Sequence, residues 1–499
     1  MQGKERKQNK KLALFKESAM YRKNKNHQIA FTDFNQPLGL QMNPENRWVK
    51  KAATIPWDKI EDKYAGLFPS NTGNVAKPLR MALGSLLIQQ QLHFSDEELV
   101  EEIRENPYFQ YFIGLPGYVD AIPFVPSLLV EFRKRLSADI MIEINEMIIE
   151  YNMPDDSDDD NNDSGSGTNE NAVIVEGYDT SKNSGTLIID ATCTPQNIKY
   201  PQDINLLNEA REKLEKMIKK ICKDQNWYAP RMYRKRARKD YLSIAKCRKR
   251  PAQKVRTAIK KQLNYVYRDL GYVEWFLEQD GVELSEKDAA LLDVIYKVYE
   301  QQLYMYENKT HSVEDRIVSI SQPYIRPIVR GKAKAPTEFG AKLDLSVDEH
   351  GMARLEKLSF DAYNESDVLK TALENYRERT GHYPERVLAD QIYRNLDNIN
   401  ICKKWHIRLS GKALGRPKKI PAVDKKTEYQ DNVDRIEVER KFSLAKRKFG
   451  LGLIRTKLEN TTKSSILLAI IAMNVDRLTS LLIRWLFWVL FGKPFAVAC

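Results

Sequence analysis

The sequence predicts an α/β protein: a mixed sheet core interrupted by a helical insertion and preceded by an all-α N-terminal domain. Three observations predict it. Short apolar, β-branched runs such as TLIID (186–190) and RVLAD (386–390) are bounded by turn residues and read as buried strands. Long stretches with apolar residues at helical spacing lie before and between them. An acidic, Ser/Gly-rich stretch, MPDDSDDDNNDSGSGTNENA (153–172), can bury no core and divides the chain as a disordered linker.

The elements follow in order. Residues 1–35 form a basic arm, and the arm has no apolar h-region of the kind a secretory signal carries. Residues 36–151 read as a helical domain. KPLRMALGSLLIQQQL (77–92) repeats apolar residues at helical spacing after Pro78. Ser95 and Glu98 have capping-box spacing and start a second short helix that ends near Asn106-Pro107. PSLLVEFRKRLSADIMIEINEMIIEY (126–151) reads as one long amphipathic helix. Short helices joined by tight turns and followed by basic FRKRL fit DNA binding, with a plain helical bundle as the alternative.

After the linker (152–180), the strand ending at Asp190 opens a catalytic region expected over 181–460. A helical insertion at about 204–330 has a very basic middle, 231–261. Two alternating runs over 338–360 flank the turn Asp348-Glu349-His350-Gly351 as a hairpin. A helix over 366–381 stops at Gly381, and strands RVLAD and IRLSG (407–411) follow. The apolar segment 461–499 is interrupted by Asp476, Arg477 and Arg484, so a buried terminal helix is expected rather than a membrane span.

Bulk properties narrow the function. The chain has 499 residues and a formal net charge of +12, enough for two or three domains and suited to a polyanionic partner. Its five cysteines are scattered without a CxxC pair, which disfavours a zinc module or a disulfide framework and fits a reducing cytoplasm.

The chemistry points to DRIEVERKFSLAKRKFG (434–449). Arg435 lies four residues before Glu439 and Lys446 seven after it, about one and two helical turns, so the three share a face. Glu437 points away from that face. Asp190 and Asp390 end strand-like runs, where ligand chemistry gathers in such sheets. Three carboxylates suit Mg²⁺, with Mn²⁺ as a substitute, because both are hard cations that prefer oxygen. Two such ions roughly 4 Å apart can drive an in-line displacement at a phosphodiester.

These motifs resemble the DDE transposases of bacterial insertion sequences, the group with an InsH-type N-terminal helical domain and an RNase H-like catalytic core. That group carries a Y-x2-R-x3-E-x6-K signature. Arg435, Glu439 and Lys446 match its R, E and K, while Asn432 occupies the tyrosine position. LIIDATCTPQNIKYPQDINLLNEAR, SISQPYIRPIVRGKAKAPTEFGAKL, RVLADQIYRNLDN, IRLSGKALGRP, SDEELVEEIRENPYFQYFIGL and PSLLVEFRKRL resemble the same family.

The resemblance implies that Asp190, Asp390 and Glu439 are the metal ligands. It implies a protein that binds the terminal inverted repeats of an insertion sequence, cuts a strand at each end and joins the freed 3′-hydroxyl to target DNA. The alternatives are a non-catalytic transposase-derived DNA-binding protein and an RNase H-like nuclease without joining activity. Asp203 and Asp397 are reserve carboxylates. Arg435 and Lys446 are expected to hold phosphates. Tyr324, Arg326, Arg330 and Lys332 are expected along the DNA path, and Arg234, Lys235 and Arg236 on the phosphates beside the insertion. Trp227, Tyr228 and Trp275 are expected to pack in a core rather than stack on bases. The partner is double-stranded DNA, bound by a homodimer that joins two ends, in the bacterial cytoplasm at the nucleoid and without a membrane.

Overall fold

A computed structural model describes Tyr21 and residues 30–68, 75–153, 183–329, 337–415 and 425–491, with side chains as far as Leu482. Most of the basic arm and of the acidic linker, together with Arg330 and Lys332, lie outside the described residues.

Among the described residues seven α-helices precede the sheet: α1 (Arg47–Ala53), α2 (Trp57–Ala65), α3 (Leu79–Leu92), α4 (Asp96–Glu105), α5 (Pro107–Phe112), α6 (Leu128–Arg135) and α7 (Ala138–Asn152). The Ser95–Glu98 capping box forms and opens α4. The single long helix expected over 126–151 is instead two. Leu136 leaves helical geometry at ψ 75°, and Ser137 is extended at ψ 168°. The break lets Leu136 bury its side chain, and its freed carbonyl accepts a hydrogen bond of 2.7 Å from Ser464.

The core is a six-stranded mixed sheet made of β1 (Thr186–Pro195), β2 (Arg326–Val329), β3 (Thr337–Val347), β4 (Ala353–Ser359), β5 (Arg386–Ala389) and β6 (Arg408–Leu409). The strand order is β2-β3-β1-β5-β6, with β4 also paired to β3. β1 is antiparallel to β3 and parallel to β5, and β5 is parallel to β6. This is an RNase H-like arrangement. Gly351 takes φ +78° in the β3–β4 turn, and Gly381 takes φ +78° at the end of α12 (Val368–Thr380), both conformations that favour glycine. α13 (Leu396–Lys404) connects β5 to β6.

Between β1 and β2 the chain inserts α8 (Asp203–Asp224), α9 (Arg234–Ala245), α10 (Ala252–Leu277) and α11 (Glu286–Glu307), which share an apolar core of their own. Trp227, Tyr228 and Trp275 are not buried in it as expected. Trp227 stacks on Phe276, but all three rings are exposed: Trp275 lies on the solvent side of α10 between the buried Val273 and Phe276, and Trp227 and Tyr228 lie in the segment after α8.

Two further helices complete the fold. α14 (Lys425–Lys448) crosses one face of the sheet. α15 (Glu459–Phe491) is long and apolar enough over Glu459–Leu482 to cross a membrane, yet 72% of its apolar window is buried inside the protein. It packs against α3, α6, α7 and β4, so one hydrophobic core joins the N-terminal helices, one sheet face and the C-terminal helices. Asn474 of α15 accepts from the Ala353 backbone N–H (2.9 Å) and donates to the Ala353 carbonyl (2.8 Å). It also donates to the Asn145 side chain of α7 (2.9 Å). These bonds satisfy the edge of β4 within the apolar core. Asn474→Ala leaves buried polar groups unpaired, and a loss of about 1–3 kcal/mol is expected in urea unfolding of the full chain.

Candidate active site

Along β1 the side chains of Ile188, Asp190 and Thr192 point to one face. Ile188 shares the apolar core of Val438, Phe442 and Ala445 from α14, so Asp190 faces that helix. Asp190 does not end its strand, contrary to the expectation from the apolar run. β1 continues to Pro195 because β3 runs antiparallel beside it over its whole second half. What stops near Asp190 is the other neighbour: the parallel β1–β5 pairing ends at Ile189 and Ala389. Asp390 is the next residue after β5, as expected. Its carboxylate accepts from the Gln391 N–H (2.7 Å) and caps the 3₁₀ turn Gln391–Tyr393. The two acids, two hundred positions apart in sequence, therefore occupy equivalent positions on adjoining strands.

Charge at this point is strained. Burial raises the Asp190 carboxyl to about 6, and repulsion from Asp390 and Glu365 adds to the rise. The Ala191 N–H, which donates to Asp190 at 2.8 Å, and the Arg435 guanidinium oppose it.

α14 brings the third acid. It is anchored near its start by Asp431, which accepts from Arg386 of β5 (3.2 Å) and Arg408 of β6, and by Asp434, which pairs with Arg386 at 2.9 Å. Towards its end, the Lys446 ammonium donates to Thr192 on β1 at 2.8 Å. Glu439 lies between these anchors, half exposed, and pairs with Arg435 at 3.1 Å. Arg435 thus stands between Glu439 and Asp190. Glu437 faces elsewhere and pairs with Arg440 and Lys441. Asn432, at the signature's tyrosine position, donates back to the Glu428 carbonyl at 2.9 Å.

The donor set suits a hard divalent ion. It is all carboxylate, and the repulsion at Asp190 is what a cation relieves. Among the described residues no three His, Cys, Asp or Glu side chains form a cluster able to hold a metal. Asp190 and Asp390 are juxtaposed, while Glu439 is turned to Arg435 and would have to leave it to join them. A half-exposed i,i+4 pair is worth only about 0.3–0.5 kcal/mol, so that exchange is cheap.

The remaining expected residues lie on other elements. Arg326 begins β2 at the far edge of the sheet and donates to the Pro323 carbonyl. Tyr324 does not stand open to DNA: its ring packs edge-on against Phe360, and its hydroxyl meets Thr462 and the Lys457 carbonyl. On α9, Arg234 pairs with the buried Glu215 at 3.0 Å, whereas Lys235 and Arg236 are exposed. Asp203 accepts from Arg316 (2.7 Å) and Gln302 (3.1 Å), a structural tie within the insertion. Asp397 lies in the first turn of α13.

Asp344, Glu365, Tyr363 and Tyr393 were not anticipated. Asp344 is wholly buried in β3 and accepts hydrogen bonds from Tyr393 (2.5 Å) and Tyr363. Burial raises its carboxyl, and the two hydroxyls oppose that rise. Glu365 pairs with Lys342 at 2.8 Å. The available signal was the lone acid inside the apolar strand run KLDLSV.

Comparison with known proteins agrees with the resemblance carried by the motifs. Residues 38–135 match the model described as "Transposase domain (DUF772)", and 387–476 match "Transposase DDE domain". The second match spans Asp390, Arg435, Glu439 and Lys446; Asp190 lies outside both. A Rhizobium meliloti protein, "Uncharacterized protein ORF8 in nfe locus", is 25% identical over 187 residues, which is 38% of this chain and 80% of that protein. No solved structure matches.

An acid whose folded-state pKa exceeds its unfolded value binds more protons when folded, so its ionisation destabilises the fold. For Asp190 this contribution is absent below about 4 and grows as pH rises to about 6. In EDTA, Asp190→Asn is expected to melt higher than the parent protein at pH 7.5, with the gap closing near pH 4 in thermal unfolding.

Proposed function

We propose that this chain is an insertion-sequence transposase that binds the terminal inverted repeats of its element, cuts them and transfers the freed strand to target DNA, a reading supported by the two matched transposase domains. The observation that carries the reading is the placement of Asp190 and Asp390 on adjoining strands beneath a helix that supplies Arg435, Glu439 and Lys446.

In this reading Asp190, Asp390 and Glu439 hold Mg²⁺, or Mn²⁺ in its place. Held there, such ions would supply Lewis-acid activation of the attacking oxygen and stabilisation of the leaving one. The chain's own residues bind and orient the DNA. Arg435 exchanges its carboxylate partner Glu439 for a backbone phosphate, which frees Glu439 for the metal side of the site. Lys446, steadied by Thr192 two positions beyond Asp190, fixes a neighbouring phosphate as a point charge. The same helix therefore carries the acid and the cations that align the scissile strand beside it.

Farther away, Lys235 and Arg236 on α9 contact phosphates without reading sequence. The helices α1–α7 carry recognition of the ends. Arg326, with Arg330 and Lys332 from the segment that follows it, extends the DNA path. A homodimer brings two ends together, in the bacterial cytoplasm at the nucleoid.

The test uses full-length protein and a plasmid carrying the inverted repeats that flank its gene. Mg²⁺-dependent nicking at those repeats is expected. Asp190→Asn, Asp390→Asn and Glu439→Gln each lower it by at least about 10³-fold, while end binding in gel shift stays within about 3-fold. Intact cleavage in all three variants removes the assignment. Cleavage without joined products on a second plasmid leaves a nuclease only. A separate expectation concerns Lys446: Lys446→Ala weakens end binding and makes its salt dependence shallower by about one in slope, read from binding isotherms at several salt concentrations.

A further inference from the structure

We propose that Asp344 and Tyr393 are positioning residues for Asp390, forming a buried carboxylate–hydroxyl brace that holds the turn bearing the second acid against the strand bearing the first. This rests on the function proposed above.

The brace starts at a fixed point. Asp344 pairs across the sheet with Ala191, the residue after Asp190. Its neighbours Leu343 and Leu345 join the core on the α14 side, so by strand alternation Asp344 points to the opposite face from Asp190. It cannot share a ligand directly with Asp190 through the sheet, and it acts instead through what it holds. Tyr393, fully buried, donates its hydroxyl to Asp344 at 2.5 Å. Tyr393 ends the 3₁₀ turn that Asp390 caps, and its backbone N–H donates to the Asp390 carbonyl at 3.0 Å. Asn398 secures the other side of the turn by donating to the Tyr393 carbonyl at 2.8 Å. The chain of contacts therefore runs from β3 through the Tyr393 ring to the backbone of Asp390.

The chemistry argues for a geometric purpose. A buried carboxylate partnered mainly by phenols is costly compared with an apolar residue at the same strand position. The second phenol, Tyr363, completes the pair of hydroxyl donors to Asp344, and the Tyr363 carbonyl itself accepts from Lys342 at 2.9 Å. Asp390 otherwise follows the last residue of a four-residue strand, where the ladder offers it no further support. Partners that orient a ligating carboxylate typically change metal affinity or activity by about 10–100-fold when removed.

The experiment compares Tyr393→Phe with Tyr363→Phe in the full chain. Both variants remove one hydroxyl from Asp344 and keep the ring, but only Tyr393 belongs to the turn of Asp390. Three readouts are used: Mn²⁺ binding without DNA by electron paramagnetic resonance, end binding by gel shift, and cleavage kinetics. Tyr393→Phe is expected to weaken Mn²⁺ binding by about 10-fold or more and to lower kcat by about 10–100-fold, with end binding unchanged. Tyr363→Phe is expected to change Mn²⁺ binding less than about 3-fold, a limit set well inside the loss a true orienting partner gives. Should Tyr393→Phe fail to fold, Asp344→Asn, which keeps the side-chain size, is expected to give the same Mn²⁺ loss. Parent-like Mn²⁺ binding and cleavage in a folded Tyr393→Phe or Asp344→Asn overturns the brace, and so does an equal Mn²⁺ loss in Tyr363→Phe. A parent protein that neither binds Mn²⁺ nor cuts overturns the proposed function itself, and the brace with it.

Discussion

The pairing of β1 with both β3 and β5 is the constraint on which the rest of the molecule depends. β1 is the only strand that ties the antiparallel hairpin side of the sheet to the parallel side among the described residues. Its parallel ladder with β5 runs through four residue pairs and stops one position before Asp190 and Asp390. Parallel pairing needs a crossover, and here the chain between the two strands includes the helical insertion, the hairpin and α12. The local apolar runs cannot create that meeting; it forms only when the whole core closes. The electrostatic strain at Asp190 is a consequence, since two acids and Glu365 are brought into one partly buried region with one guanidinium opposing them.

α14 converts this strained region into a candidate active site. Its two anchoring groups act at different places: arginines from β5 and β6 hold Asp431 and Asp434, and Lys446 reaches Thr192. The intervening face cannot slide relative to the strands without breaking one set. Anchoring at both ends of the face is what positioned catalytic groups require. The C-terminal helix α15 has a supporting part, because it fills the core between α7, β4 and α14 and satisfies the β4 edge through Asn474. The apolar composition of Glu459–Leu482 is explained by that burial.

Much of the local structure was legible in the residues. The capping box at Ser95, the helix stop at Gly381 and the turn at Gly351 follow from short-range chemistry, and each formed where expected. The face shared by Arg435, Glu439 and Lys446 followed from helical periodicity, and Glu437 did point away. Errors arose where a distant partner decided the outcome. Leu136 breaks a helix because its side chain enters a core shared with α15, and its carbonyl finds Ser464 there. Asp190 lies mid-strand because β3 extends the ladder past it. Trp227, Tyr228 and Trp275 are exposed because the insertion's core takes their neighbours Met232, Val273 and Phe276 and leaves these three rings at the surface.

By itself the sequence determined the α/β class, the main helices and strands around the acids, the basic character and the acids and cations at helical spacing, since periodicity, turn chemistry and charge are local properties. Only the tertiary structure decided which of those acids meet. It set Asp190 beside Asp390 through strand register, turned Glu439 to Arg435, and buried Asp344 under two tyrosine hydroxyls on the other face of the sheet. The physical reason is that register and burial depend on contacts between segments far apart in the chain, and no window of neighbouring residues contains both partners.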